Sequence, residues 1–140
     1  MLYFDTNIFV YAADTKSPYR AITKNLIEYC VQQSIPIQTS TETIQEIVHL
    51  GKYSKTLNNA LIVARETMNI VEQLLAVNKE VIQRYLRLVA KYPRLESRDL
   101  IHLASCVEFH VPLLVTYDKK LKHCTEVKVS TPEEFLNSKP

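Results

Sequence analysis

Short apolar runs alternate with longer stretches of helical spacing along this chain, and that alternation restricts the fold more than any other feature. Leu2-Tyr3-Phe4, Ile35-Pro36-Ile37, Pro112-Leu113-Leu114-Val115-Thr116 and the pair Val127 and Val129 read as short strands. Three apolar residues in a row mark a strand covered on both faces, and Pro36 suits a strand's entry better than its middle. Between these runs lie amphipathic segments. Pro18 opens a helix carried by Ala21, Ile22, Leu26, Ile27, Tyr29, Cys30 and Val31, and Ser40-Thr41 opens one carried by Ile44, Ile47, Val48 and Leu50. Thr56 to Met68 and Asn78 to Tyr92 follow the same period, the latter stopped by Pro93, while Ile70 to Val77 fits either a strand or an extended connector. Asp99 opens a further helix, and Thr131-Pro132-Glu133-Glu134 opens the last, with acids at the positive dipole end. Strands joined by helices imply right-handed crossovers. The expected fold is α/β in three layers, with helices on both faces of a mostly parallel sheet of four to five strands.

No linker, repeat or composition shift divides the sequence, so residues 1–140 read as one domain. The only glycine is Gly51, expected to terminate the helix before it. A single glycine excludes every phosphate cradle built on a glycine loop, including dinucleotide folds, P-loops and kinases. Cys30, Cys106 and Cys124 are odd in number and widely spaced, which argues against a disulfide framework and a zinc knuckle. No apolar stretch nears the roughly 20 residues of a membrane span, and Asp5 interrupts any leader-like segment. A cytoplasmic protein without membrane contact is expected. The net charge of +2 carries no nucleic-acid signature by itself.

Ligands of open parallel sheets bind at the carboxyl ends of the strands. Two strands here run into acids, Phe4 into Asp5 and Val115-Thr116-Tyr117 into Asp118, and predicted helices bring Asp99 and Glu46 to the same edge. Four carboxylates at one rim repel unless some are protonated or a cation lies between them. Oxygen donors without convergent His or Cys point to Mg²⁺ or Mn²⁺. Such a site suits phosphodiester hydrolysis, because the ion acidifies water and neutralises charge building on the phosphate. Each acid also has a plain structural use: Asp5 and Asp118 as caps, Asp99 as a dipole partner, Glu46 on a solvated face. Glu42, one turn earlier, competes with Glu46 for any role. A strand ending in aspartate also begins aspartyl-phosphate chemistry, but the second aspartate it needs two residues on is Asn7 here.

Tyr3-Phe4-Asp5-Thr6-Asn7, Ser40 through Glu46, Ser97-Arg98-Asp99-Leu100-Ile101-His102, Leu114-Val115-Thr116-Tyr117-Asp118 and the closing Val129 to Leu136 together resemble the PIN-domain ribonucleases, most closely the short VapC-like toxins of toxin–antitoxin pairs. The resemblance spans essentially the whole chain. It implies Asp5, Glu46, Asp99 and Asp118 as the catalytic, metal-binding set, with Thr6, Asn7 and Thr116 as polar helpers that orient ligands or phosphate. It also implies Mg²⁺ or Mn²⁺, endonucleolytic cleavage of single-stranded RNA leaving a 5′-phosphate and a 3′-hydroxyl, a cognate antitoxin and a homodimer. Leu100 departs from the alanine common after the aspartate and removes no ligand. A degenerate, non-cutting RNA- or protein-binding module and a stand-alone RNA-processing nuclease are the rival readings.

Among the remaining residues, His102 lies in an apolar helical run and reads as a packing histidine, while His49, His110 and His123 are too scattered to form a metal set. Lys119, Lys120 and Lys122 fit either RNA phosphates or a solvated loop. Tyr11 and Tyr117 are candidates for base stacking, and Tyr3 for the core.

Overall fold

The computed structural model describes residues 1–139. Five strands, β1 (Leu2–Phe4), β2 (Ile37–Ser40), β3 (Gln73–Leu75), β4 (Leu113–Val115) and β5 (Lys128–Ser130), form one sheet in the order β3-β2-β1-β4-β5. Every neighbouring pair is parallel, with Leu2 opposite Ile37 and Tyr3 opposite Leu114. Seven helices flank it: α1 (Thr6–Ala13), α2 (Arg20–Gln32), α3 (Thr41–Tyr53), α4 (Leu57–Ile70), α5 (Lys79–Lys91), α6 (Ser97–Glu108) and α7 (Pro132–Asn137), with a 3-10 turn at Lys119–His123. Among the described residues no helix is long and apolar enough to cross a membrane.

Side chains alternate across a strand, and here both faces are apolar. Leu2 and Phe4 pack with Ile8, Leu26, Cys30, Ile47, Ala64 and Phe135, which come from α1 to α4 and α7. Tyr3, between them, points the other way, into a cluster with Val81, Leu88, Leu100, Leu103 and Leu114 from α5, α6 and β4. The same split separates Val115 from Leu114. This is the three-layer arrangement expected from the alternating pattern, with all strands parallel.

Helix starts follow local chemistry. The Asn78 side chain accepts from the Val81 amide at 3.0 Å, and Thr131 and Glu134 form a reciprocal capping box around Pro132. Two boundaries differ from the sequence pattern, and one open alternative is decided. The Ile70 to Val77 segment contains a true strand, β3, recruited by backbone pairing with β2 rather than by its own apolar pattern. Pro18 sits in a turn ahead of α2, where the Tyr19 amide donates to Ser17 Oγ at 3.1 Å. Gly51 does not end α3: it lies buried inside the helix, which runs on to Tyr53. A Cβ at Gly51 would come within 2.2 Å of Ala60 Cβ on α4. The lone glycine therefore lets α3 and α4 touch.

Successive crossovers carry the chain from β1 to β2 to β3, and then α5 and α6 return it to the far side of β1 as β4. The strand order reverses between β1 and β4. A crevice at the carboxyl ends of these two strands is the binding position that the topology dictates.

A candidate acidic site at the strand-order reversal

Asp5 follows β1 directly, and its amide donates to the Val115 carbonyl of β4 at 3.0 Å. Its carboxylate is buried and tightly held. Oδ1 accepts from the Thr6 amide at 2.7 Å, capping α1, and Oδ2 accepts from Thr116 Oγ1 at 2.6 Å and Asn7 Nδ2 at 3.3 Å. The helix-capping use and a place in the acidic rim thus coexist in one residue. Thr116 is the hub on the β4 side. Its hydroxyl donates to Asp5 and accepts from the Asp118 amide at 3.0 Å and from Asn7 Nδ2 at 3.4 Å. Its one proton is committed to Asp5, so it has none left to donate to a phosphate. Thr6 acts through its backbone; its hydroxyl lies 3.4 Å from Thr43 Oγ1 rather than on Asp5.

Asp118 opens the 3-10 turn and accepts from the Lys120 amide at 3.1 Å. Asp99 stands in the first turn of α6, half-buried and beside Asp118. Burial, then the neighbouring Asp118 carboxylate, then the charge of Asp5 push the Asp99 carboxyl up to about 8, against a smaller lowering by His102. Asp5, Asp99 and Asp118 are therefore close enough to feel one another, with repulsion that a cation would relieve.

Glu46 reaches the cluster through His102. His102 Nε2 lies 2.6 Å from Glu46 Oε1 and 3.4 Å from Asp5 Oδ1, while Nδ1 lies 2.6 Å from the Tyr3 hydroxyl. The Tyr3 hydroxyl in turn donates to Ser40 Oγ at 2.8 Å. Burial works against a charged imidazole, but the oxygens of Tyr3, Asp5 and Glu46 outweigh it and leave the His102 pKa well raised. His102 is indeed buried, yet it does more than pack: it bridges Glu46 and Asp5. The apolar run around it hid this role. Two spacings carried the signal: His102 is three residues after Asp99, on one helix face, and Tyr3 is two before Asp5. His49, His110 and His123 are exposed.

The donor set suits a hard divalent cation. Asn7 Oδ1 is buried beside Asp5 without a hydrogen-bond partner, an oxygen free for an ion or its water. Among the described residues no three acidic, histidine or cysteine side chains converge closely enough to hold a metal ion together. An open rim of this sort fits Mg²⁺, which keeps several waters and takes one or two carboxylates directly.

The PIN domain model matches residues 2–126. Ribonuclease VapC23 of Mycobacterium tuberculosis is 30% identical over 125 residues, covering 86% of this chain and 95% of its own. Ribonuclease VapC7 of the same organism is 26% identical over 134 residues, covering 95% and 92%. VapBC2 from Rickettsia felis, solved bound to a promoter DNA fragment, superposes with a TM-score of 0.77 at 18% identity, over 94% of this chain and 98% of that one. VapC20 of M. tuberculosis, a toxin that cleaves the sarcin-ricin loop, superposes at 0.71 and 14% identity over 91% and 98%, which shows a shared fold. With the domain model covering all but the last strand and helix, and with a relative at 30% identity aligned along nearly its whole length, the chain belongs to the PIN-domain family, in its VapC ribonuclease branch.

Proposed function

We propose that this ribonuclease is a Mg²⁺- or Mn²⁺-dependent endonuclease of single-stranded RNA, whose ion is held by Asp5, Asp99, Asp118 and Glu46. The observation that carries the reading is the meeting of acids from the end of β1, α3, α6 and the end of β4 where the strand order reverses, with Asp99 pushed up to about 8 by burial and by its acidic neighbours. Clustered carboxylates cost stability, and a fold that keeps them without a cation gains nothing from them.

When bound, such an ion supplies Lewis acidity, acidifying water at neutral pH and neutralising charge that gathers on the phosphate. The chain supplies rigid placement. Thr116, Asn7 and the Thr6 amide fix both oxygens of Asp5 before substrate arrives, as polar neighbours of metal ligands do. His102 takes one oxygen of Glu46, Oε1, and so fixes the carboxylate on the Asp5 side of the imidazole. Tyr3 and Ser40 hold the imidazole in turn, so three elements set the direction of one carboxylate.

Asp99→Asn is the test. Asp5 is the wrong acid to remove, because its loss also uncaps α1 and strands three donors. With Asp99→Asn, cleavage of a labelled single-stranded RNA in Mg²⁺ is expected to be abolished while the fold persists; an unchanged rate sinks the assignment. The toxin reading adds a cognate antitoxin, in line with the VapBC structures among the fold neighbours. A basic side chain inserted into the acidic rim is the inhibition its charge invites. Homodimerisation is the companion proposal, and Val31, Leu50, Tyr53 and Ile62, apolar and exposed, offer faces for it.

A further inference from the structure

Beside the acidic rim, three tyrosines from three elements pack on one another. Tyr117 lies between Thr116 and Asp118, Tyr11 is on α1, and Tyr19 caps the start of α2. The Tyr19 and Tyr117 rings are 4.4 Å apart between centroids at 35°, and Tyr11 lies 5.3 Å from Tyr19 and 5.8 Å from Tyr117. Tyr117 is pinned from behind, its hydroxyl donating to Glu133 Oε1 at 2.7 Å. Tyr19 keeps 41% of its surface in water. A cavity of about 430 Å³ opens here, lined by Tyr19, Tyr117, Lys119, Lys122, Glu133 and Glu134. Glu134 is occupied by Lys122 and Glu133 by Tyr117, which leaves exposed Lys119 as the cation free of an ion pair among the described lining residues.

We infer that this cluster is a nucleotide subsite: an unpaired base stacks on the exposed face of Tyr19, and Lys119 takes a phosphate of the same strand. The inference rests on the RNA-cleaving reading of the adjoining acids and names how the strand is held next to them. An aromatic face with a neighbouring lysine is the chemistry that binds single strands without reading sequence. A ring already stacked on two others presents that face rigidly, so little side-chain freedom is lost on binding. Tyr117 joins the two parts, because the residue that follows it is an acid of the rim.

The test is the affinity of the whole chain for a fluorescent single-stranded 12-mer RNA, read by anisotropy without divalent metal, alongside KM and kcat in Mg²⁺. Tyr19→Ala is expected to weaken binding roughly 5- to 150-fold and to raise KM more than it lowers kcat. Tyr19→Phe keeps the stack and retains affinity, and Lys119→Ala lowers the salt slope of binding by about 0.7. Thermal melts of each variant separate a lost subsite from a lost fold. Unchanged affinity in Tyr19→Ala overturns the inference and assigns the cluster to packing or a protein contact. Equal losses in Tyr19→Phe and Tyr19→Ala overturn it too, because the hydroxyl rather than the ring is then what matters. A wild type that binds RNA through Tyr19 but cuts it in no divalent metal refutes the nuclease reading and leaves the subsite standing.

Discussion

Gly51→Ala is the sharpest probe of how this fold is packed. A methyl at this position would stand 2.2 Å from Ala60 Cβ, whereas carbon atoms in contact prefer about 3.5–4.0 Å. The obstacle is a Cβ attached directly to a helix backbone, not the tip of a flexible side chain, so α3 and α4 must part. They resist parting because Thr56 ties the connecting turn back to Gly51, amide to carbonyl, at 2.8 Å. Overpacking of this sort costs about 1–3 kcal/mol, and the better helix propensity of alanine returns about 1. The net expectation is a loss of up to about 2 kcal/mol, or up to roughly 7 °C in melting temperature for a domain of this size. The assay is thermal and urea unfolding of Gly51→Ala, Ala60→Gly and the double variant. Ala60→Gly alone should also destabilise, by losing a methyl and a helix former, yet in the Gly51→Ala background it should restore stability. A coupling above about 1 kcal/mol is the signature of direct contact. Stabilisation by Gly51→Ala, or additive single effects, would refute the close approach of α3 and α4 at this glycine.

Other expectations follow from the site and its surroundings. In chelator, Asp99→Asn should raise stability by about 1–2 kcal/mol near pH 8, a figure discounted for the partial exposure of the carboxyl. Because the folded pKa is raised to about 8 from 3.8, the gain should vanish by pH 4 and grow as pH rises; a flat difference across melts at several pH values would count against clustered acids. Tyr3→Phe removes the hydroxyl between Ser40 and His102 and leaves buried groups unpaired, so a loss of about 1–3 kcal/mol in denaturant melts is expected, with no loss arguing against the buried chain. Glu126 takes hydrogen bonds from Lys91 Nζ and the Tyr92 hydroxyl, which, against the opposing pull of partial burial, hold its carboxyl below the ordinary value of 4.5. That stabilisation is present above pH 4.5 and disappears as pH falls through the lower folded value, so Glu126→Gln and wild type should converge in acid melts; a constant gap would exclude the ion pair as the cause.

The alternation of apolar runs and helical stretches was enough to read the layers and the parallel sheet, because burial on both faces leaves Leu2-Tyr3-Phe4 and Leu113-Leu114-Val115 no polar face to show. Asp5, Asp99 and Asp118 were legible for a related reason: each sits at the end of a strand or the start of a helix, where local pattern says which edge it occupies. Glu46 was harder, since it lies mid-helix with Glu42 one turn away and only the bond to His102 tells them apart. β3 escaped the pattern because an edge strand with one exposed glutamine borrows its order from β2. The sequence by itself determined the layers, the place of Asp5, Asp99 and Asp118 at element ends and the exclusion of glycine-loop chemistry, since these depend on periodicity and on residues at element ends. Tertiary structure alone decided that Gly51 joins α3 to α4, that His102 and Tyr3 set the direction of Glu46, and that Tyr11, Tyr19 and Tyr117 share one surface. Those contacts join residues up to 106 positions apart, as from Tyr11 to Tyr117, and no local pattern records which distant side chain a folded chain will bring alongside.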